Sequence, residues 1–424
     1  MYSLFNIVFT ITLSISGFAQ NWMLPIPDFD KMVVGDSFPI KYDLRDYGRL
    51  SPVKSQPSGG CWASASMGAI ESVWRTYAYG NHTLSDKNLQ LYNGFDSLRK
   101  SNGNHYMATA YFTRGSGPLL KNKESDSISF HGQKTAAYVT DARYLPNDPA
   151  LVKQTIMDYG AVYSMLYYKI DFLDTVTFTY YTEVEKINHV VNLVGWNDTL
   201  QTQAGKGAWI AQNSKGKKFG DQGFFYISYN DKNILKHNAI WPKWVPYDPA
   251  SSIYYYDTLG ATIPFGYHDT ICCGLVKYTA KEDLFIEKIG TSITTSGTKV
   301  TTKIYGKFNV SSKRLSNQMA FIEENECGMA GYYSFDLKDP VYIEEGGDFY
   351  IMMQYVTPND SFPMPTEKFL ENYANPHIST GKCWVNANVN RWPNAWNECG
   401  ADVEHETLRF DLCIKAYCVR ATKK

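Results

Sequence analysis

The stretch around Cys61 constrains the fold of this chain more than any other part of it. Pro57, Gly59 and Gly60 interrupt regular structure just before the cysteine, because proline and glycine break helices and strands. After Cys61, large residues recur at helical spacing as far as Tyr77, and small residues between them keep the helix slim enough to be buried. The sequence therefore predicts a buried helix that begins at Cys61.

Cys61 is also isolated from the other cysteines of the chain. It is the only one before Cys272, and the other seven lie from Cys272 to Cys418. Cysteines of a secreted chain tend to oxidise in pairs, so the C-terminal seven predict up to three disulfides and one free thiol, with open connectivity. Cys61 is either buried and inert or chemically active. At the first turn of a helix the macrodipole favours a thiolate, the form that a nucleophile needs.

Two later segments supply candidates for a base and for a group that orients it, both of which a cysteine nucleophile requires. Segment 187–196 has the pattern of a half-polar strand with His189 near its start. Segment 207–214 has the pattern of a second strand and reaches Asn213 at its end. As antiparallel neighbours, these strands place Asn213 beside His189, with His189 facing the helix start. A single histidine in a strand is more often structural, so the interpretation depends on the whole set of motifs.

Taken in order along the chain, the motifs resemble the papain-like cysteine peptidases over about residues 40–245. His189 and Asn213 follow Cys61 at separations close to the roughly 130–150 residues typical of that family. The resemblance implies an α+β papain-like catalytic domain with a helical half and an antiparallel β half. The matching motifs are segments 42–48, 53–56, 61–63, His189, 213–214 and 220–225.

The resemblance also implies a role for each residue of the site. Cys61 is expected to attack the scissile carbonyl, and His189 to protonate the leaving amine. Asn213 is expected to hold the imidazole through a hydrogen bond. Gln56, together with the backbone N–H of Cys61, is expected to donate to the developing oxyanion.

Asn102 and Gly103 match the stretch that binds substrate in this family. Such a stretch pairs with the backbone of the peptide as an additional strand. The expected partner is therefore a peptide or protein substrate, and the family implies no cofactor. No metal-ligand motif is present, and the acidic segment 402–406 reads as a solvated loop.

The last third of the chain predicts a different architecture. Short alternating strands at 285–290, 299–305, 348–355 and 408–414 favour an all-β sandwich. Segments 84–89, 102–104, 107–111 and 116–118 are similar to a bacterial and archaeal papain-like subgroup that carries a C-terminal lectin-like domain. That resemblance implies a lectin-like module at about 253–420, with a carbohydrate as its ligand. Three tryptophans of this region either stack on sugar rings or belong to the core: Trp384, Trp392 and Trp396.

Two departures from the family pattern bear on activity. The loop from Gln56 to Cys61 is one residue shorter than usual, which could displace Gln56 from the oxyanion. Lys215 stands where the family has a tryptophan that covers the Asn–His hydrogen bond, so we expect the Asn213–His189 contact to be exposed to water and the enzyme to be slow. The alternative function is a weakened or inactive scaffold that acts as an adhesin or carbohydrate-binding protein.

The N-terminus predicts export. No charged side chain precedes Asp28, residues 4–18 are mostly apolar, and 17–19 have a small-x-small pattern, so residues 1–19 read as a cleaved signal peptide. A membrane anchor is the alternative, but the apolar run is shorter than the roughly 20 residues of a spanning helix. We therefore expect a secreted or cell-surface protein with no membrane span after signal cleavage. The expected parts are a signal peptide at 1–19, a short segment at 20–39, a peptidase domain at 40–250 and a β-sandwich at 253–420.

The charge of the chain argues against another class of partner. The 41 Lys and Arg residues balance 42 Asp and Glu residues, for a net charge of −1. Nucleic-acid binders usually carry a basic excess, and proteins that bind membrane surfaces by charge carry basic clusters. We therefore expect no nucleic-acid partner.

Overall fold

The structure is a computed structural model that describes residues 24–56, 58–96, 101–122 and 135–421. The expected signal peptide at residues 1–19 lies outside the described residues. Among the described residues, we find no helix with the length and apolar character needed to cross a bilayer.

The α-helices of the described residues lie in the N-terminal half, and the first of them begins at Cys61 as predicted. Its cap residue, Gly60, supplies no side-chain hydrogen bond, so the burial of its small and apolar residues stabilises it instead. The α-helices of the described residues are α1 (Cys61–Thr76), α2 (Asp86–Tyr92), α3 (His105–Thr113) and α4 (Pro149–Asp158). Short 3-10 helices cover Phe29–Lys31, Leu44–Tyr47, Ile170–Phe172 and Glu406–Leu408.

A mostly antiparallel sheet packs against α1. The strands predicted at 187–196 and 207–214 are β5 (His189–Thr202) and β6 (Gly205–Gln212). They pair with each other, and Asn213 directly follows β6. Gly68 of α1 lies so close to β5 that a Cβ there would be 2.4 Å from Asn192 Nδ2, which sets the approach of helix and strand. The strands are β1 (Lys41–Asp43), β2 (Ala137–Leu145), β3 (Val162–Leu166), β4 (Thr179–Tyr180), β5 (His189–Thr202), β6 (Gly205–Gln212), β7 (Phe224–Ser228) and β8 (Asn238–Pro246).

The C-terminal region is built from strands, as expected for a sandwich. They are β9 (Ser251–Tyr254), β10 (Ile263–Phe265), β11 (Ile271–Thr279), β12 (Leu284–Ile293), β13 (Thr298–Asn309), β14 (Arg314–Cys327), β15 (Gly331–Ile343), β16 (Asp348–Val356), β17 (Met364–Glu367), β18 (Cys383–Asn386), β19 (Asn397–Cys399), β20 (Asp411–Leu412) and β21 (Ile414–Arg420). One layer has the order β14-β13-β16-β11-β18-β19, and β15-β12-β21-β9 form the other. Apolar residues of both layers share one core. The prediction of one continuous strand at 408–414 is wrong, because this stretch contains the end of a 3-10 helix, strand β20 and the start of β21.

The two regions are joined by one sheet. Its order is β4-β7-β6-β5-β3-β8-β2-β15-β12-β21-β9, with β1 added beside β5. The junction is the pairing of β2 with β15, where Tyr332 lies opposite Ala142. Arg143 reinforces it by donating from Nη1 to the Tyr332 carbonyl oxygen at 2.7 Å. Helix α3 is also bonded to the C-terminal region, since the Tyr417 hydroxyl of β21 donates to the Thr113 carbonyl oxygen at 3.1 Å.

The tryptophans and cysteines of the C-terminal region are mostly buried. Trp384 and Trp396 belong to the core, whereas Trp392 is 46% exposed. All eight cysteines of the chain are free thiols in the structure, so the predicted disulfides are not confirmed. Cys383 and Cys399 nevertheless lie directly opposite each other on β18 and β19.

Candidate active site

Cys61 lies where helix α1 meets the start of β5. Its side chain is partly exposed, and Val190, the residue after His189, lies near enough for its backbone N–H to lower the pKa of the thiol. Burial is the largest influence on the thiol and raises the pKa of Cys61 above its ordinary value. The backbone N–H groups of Val190 and Trp62 act in the opposite direction, with a smaller effect. The helix start thus positions the sulfur beside the histidine strand.

His189 and Asn213 form the hydrogen-bonded pair that the sequence predicts. His189 Nε2 lies 3.0 Å from Asn213 Oδ1, with His189 at the first residue of β5 and Asn213 directly after the last residue of the neighbouring β6. Because Nε2 makes this bond, the other ring nitrogen, Nδ1, remains available to exchange a proton with Cys61. Burial lowers the pKa of His189 to about 4, although the hydrogen bond to Asn213 acts to raise it.

At neutral pH, these pKa shifts keep the Cys61 thiol and the His189 imidazole uncharged when each is considered alone. Burial raises the pKa of Cys61 and lowers the pKa of His189, because both charged forms lose hydration. Burial therefore outweighs the effect of the helix start on the resting thiol. The charged thiolate–imidazolium pair can form by transfer of the proton from Cys61 to His189, which leaves two opposite charges side by side.

Gln56 is held at the same site in spite of the shorter loop. Its backbone N–H donates to the Ser214 carbonyl oxygen at 2.8 Å. The Ser214 hydroxyl donates to Gln56 Oε1 at 2.6 Å, so the side-chain oxygen is occupied and the NH₂ end remains to donate. Ser214 N–H in turn donates to Asn213 Oδ1 at 2.8 Å. Ser214 therefore links Gln56 to the His189–Asn213 pair, a role visible in the sequence only as the residue after Asn213.

The structure also brings the 101–104 segment against the start of α1. Gly103 lies flat on the buried Trp62 indole, where a Cβ would be 2.2 Å from Trp62 Cε2, so no larger residue fits there. A Cβ on Gly59 would similarly lie 2.6 Å from Ser101 Cβ. Asn102 is exposed between these contacts. The segment thus lies beside the helix start that carries Cys61, and its role in binding substrate stays a prediction.

The expectation of a water-exposed Asn213–His189 contact is wrong. His189 is 7% and Asn213 2% exposed. Tyr168 supplies the cover, with its ring centroid 5.4 Å from that of His189. Lys215 lies over this aromatic cover, its ammonium 3.9 Å from the Tyr168 ring centroid and 5.7 Å from that of Phe219. Nothing in the local sequence of Tyr168 indicates this role, because the ring reaches the site from a loop about twenty residues before His189.

The charge of Lys215 acts on both members of the pair. After burial and the hydrogen bond to Asn213, it contributes to the lowered pKa of His189, as expected for a neighbouring cation. The same charge lowers the pKa of Cys61, although less than burial raises it. Lys215 therefore disfavours the imidazolium and favours the thiolate at the same time.

The described part of the chain shows no arrangement of side chains that would bind a metal ion. Among residues 24–421 outside the undescribed gaps, no group of three or more His, Cys, Asp or Glu side chains is arranged to hold a metal ion. Residues Asp402, Glu404, His405 and Glu406 are exposed, in agreement with a solvated loop.

Together, the fold and the site define a papain-family cysteine protease domain joined to a lectin-like domain. Residues 38–240 match the family model described as papain family cysteine protease, and residues 253–418 match the model of a lectin like domain. The whole arrangement is similar to clostridial cysteine protease Cwp84 after propeptide cleavage, with a TM-score of 0.77 at 20% identity over 90% of this chain and 99% of that one. A second structure, of the cysteine protease and lectin-like domains of Cwp84 from Clostridium difficile, gives 0.76 at 18% identity over 92% and 91%. At these identities the match shows a shared fold.

Curated relatives match the N-terminal region. A cysteine proteinase of Trypanosoma brucei brucei is 26% identical over 222 residues, which is 48% of this chain and 46% of that protein. Cathepsin S of Mus musculus is 28% identical over 216 residues, 46% of this chain and 61% of that protein. The chain thus spans less than two thirds of the length of these relatives.

Proposed function

We propose that this protein is a secreted cysteine peptidase that hydrolyses peptide bonds through Cys61, His189 and Asn213. The observation that carries the proposal is the 3.0 Å bond between His189 Nε2 and Asn213 Oδ1, made next to Val190, whose backbone N–H influences the Cys61 thiol. The papain family match over residues 38–240 supports the same reaction.

The first half of the reaction makes an acyl-enzyme. The Cys61 proton passes to His189 Nδ1 as the sulfur attacks the scissile carbonyl carbon, and the carbonyl oxygen becomes an oxyanion. The Cys61 N–H and the free NH₂ end of Gln56 donate to that oxygen. His189 then gives its proton to the amine as the C–N bond breaks, which leaves a thioester on Cys61 and releases the C-terminal peptide.

The second half returns the enzyme to its starting state. Water attacks the thioester carbon while His189 takes one of its protons, and the carbon–sulfur bond breaks to give a carboxylic acid. The thiolate recovers its proton from His189. Asn213 keeps the ring in one orientation throughout, since its oxygen accepts from Nε2 in both protonation states. Asn102 and Gly103 hold the substrate backbone along this site.

The C-terminal domain would act as an accessory module for a carbohydrate ligand. The lectin like family match over residues 253–418 supports this role. Trp392 is the candidate contact, because it is 46% exposed and carries the Arg391 guanidinium 4.7 Å from its ring centroid. The signal-like residues 1–19 support export. Cwp84 is a surface layer associated protein of Clostridium difficile, which supports a cell-surface location for this chain.

Labelling of Cys61 tests the proposal against a scaffold without activity. We expect an epoxide-type thiol inhibitor, applied to the full chain at neutral pH, to modify Cys61 and to block peptide hydrolysis in proportion. The seven buried C-terminal cysteines serve as the internal control and should stay unmodified until the chain is denatured. Mass spectrometry of the digested protein locates the adduct. A Cys61 that reacts no faster than the buried thiols would favour the adhesin alternative.

A further inference from the structure

A cavity of about 350 Å³ lies between helix α3 and the C-terminal domain. Ala110 and Thr113 of α3 form one wall, with Tyr106 and Tyr144 beside them. The C-terminal domain provides the opposite wall, which includes Ile263, Pro264, Ile293, Leu370 and Tyr373. The cavity exists because the two domains are packed together, so a papain-like domain alone would not have it.

Asn104 connects the 101–104 segment of the candidate active site to the cavity. Asn104 lines the cavity and directly follows Gly103, which lies on Trp62. Its side-chain Nδ2 donates to the Tyr373 hydroxyl of the other domain at 3.2 Å. Tyr373 therefore contacts the end of the segment that flanks the start of helix α1.

The chemistry of the reaction decides which half of a substrate would reach this cavity. His189 protonates the leaving amine, so the C-terminal half of the peptide leaves from the His189 side of Cys61. The acyl half must then extend toward the other flank, where Gly59 lies against Ser101 and Gly103 lies on Trp62. A peptide that follows the 101–104 segment away from Cys61 arrives at Asn104, which lines the cavity.

The walls indicate what would bind. They are formed mainly by aliphatic and aromatic side chains, which favour a large apolar group. Asp257 also borders the cavity, but its carboxylate is 1% exposed and bonds Lys415 with a distance of 2.5 Å from Oδ2 to Nζ. A charged side chain would find no exposed partner of opposite charge among these walls.

We propose that this interdomain cavity is a substrate subsite that receives a large apolar side chain from the acyl half of the peptide, beyond the residue that pairs with Gly103. The inference rests on the proposed peptidase function. In this proposal the C-terminal domain contributes directly to peptide specificity, in addition to any carbohydrate that it binds. Tyr373 and Leu370 would be specificity-determining residues contributed by that domain.

Paired peptides test the subsite in the full chain. Each pair differs only in Phe against Gly at one position, two to five residues before the scissile bond. We expect kcat/KM to favour Phe by about tenfold at one of these positions, the size typical of filling an apolar pocket. The variant Ala261→Trp, which fills the cavity from its half-buried wall, should reduce that ratio to about one without changing hydrolysis of the Gly peptide.

Two further variants separate contact from folding. Tyr373→Phe keeps the aromatic wall and should keep the preference, whereas Phe369→Ala changes a neighbouring side chain that is 56% exposed and does not line the cavity, and should have no effect. An unchanged Phe/Gly ratio in Ala261→Trp would overturn the subsite while leaving the peptidase intact. If no peptide is cleaved and the epoxide does not modify Cys61, the proposed function fails first and the subsite fails with it.

Discussion

The two regions of the molecule use cysteine in opposite ways. The N-terminal region has a single cysteine, at the first residue of a helix, partly exposed and next to a histidine strand. The seven cysteines of the C-terminal region are buried in or between strands. Burial raises the pKa of Cys61, and it raises the pKa of Cys273 to about 12 as well. The direction of the shift therefore does not distinguish a nucleophile from a core residue. Access for a substrate and a base within reach make the difference.

The largest effect should come from replacing Cys61, the partly exposed cysteine of this comparison. Cys61→Ala is expected to abolish peptide hydrolysis, a loss of at least about a thousandfold in kcat, because no other group can form the thioester. The fold should survive, since Ala suits a helix start and no disulfide involves Cys61. Steady-state kinetics and circular dichroism of the purified variant measure the two outcomes.

His189→Ala is the matched control for this loss. Because nucleophile and base act as a unit, its rate should fall nearly as far, and the double variant should be no slower than Cys61→Ala alone. Most of the activity surviving in either single variant would contradict the assigned mechanism.

The comparison also separates what the sequence can predict from what it cannot. Helix α1 and strands β5 and β6 follow from patterns that are each read within one segment, and the Asn213–His189 bond follows from pairing the two strands as antiparallel neighbours. Tyr168 and Tyr373 carry no such signal. They reach the site from distant loops, and only the folded chain brings them to His189 and Asn104. The sheet shared by the two regions also has no local sequence signal, because the β2–β15 pairing joins residues almost two hundred positions apart.

The next effect concerns stability and belongs to the C-terminal region. Burial raises the pKa of Glu367 to about 8, from 4.5. Below about pH 4.5 the carboxyl is protonated in both folded and unfolded chains, so the stability it contributes is fully present. As pH rises toward 8 the unfolded chain loses the proton first, and that stability is lost. Glu367→Gln should remove this dependence and increase the free energy of unfolding at pH 9 by on the order of a few kcal/mol relative to the wild type.

Urea unfolding at pH 5, 7 and 9 measures the difference. Glu323→Gln, a change at an exposed position of β14, is the control and should leave the pH dependence as it is. Equal slopes against pH for the wild type and Glu367→Gln would show that Glu367 is ionised in the folded chain.

A smaller effect is expected from the aromatic cover of the site. Tyr168→Ala exposes the His189–Asn213 bond to water, and a hydrogen bond shielded from water is worth more than an exposed one. We expect kcat/KM to fall by about tenfold, which corresponds to roughly 1.4 kcal/mol of barrier. The Tyr168 hydroxyl is buried with no hydrogen-bond partner among the described residues, so Tyr168→Phe should keep full activity. A loss of rate in Tyr168→Phe equal to that in Tyr168→Ala would show that the hydroxyl, and not the ring, matters.

The smallest effect should come from Lys215, whose charge acts on both reacting groups. Without this cation, in Lys215→Met, the pKa of His189 and the pKa of Cys61 should both rise, because the charge now lowers each of them. The pH profile of kcat/KM should therefore move to higher pH, while the rate at its maximum changes by less than roughly threefold, as for one partly screened surface charge. Lys215→Trp should also change the maximal rate little, since Tyr168 already covers the hydrogen bond. Lys217→Met, in the same loop and exposed, is the matched control. A profile that stays in place, or that moves to lower pH, would show that the Lys215 charge does not reach the Cys61–His189 pair.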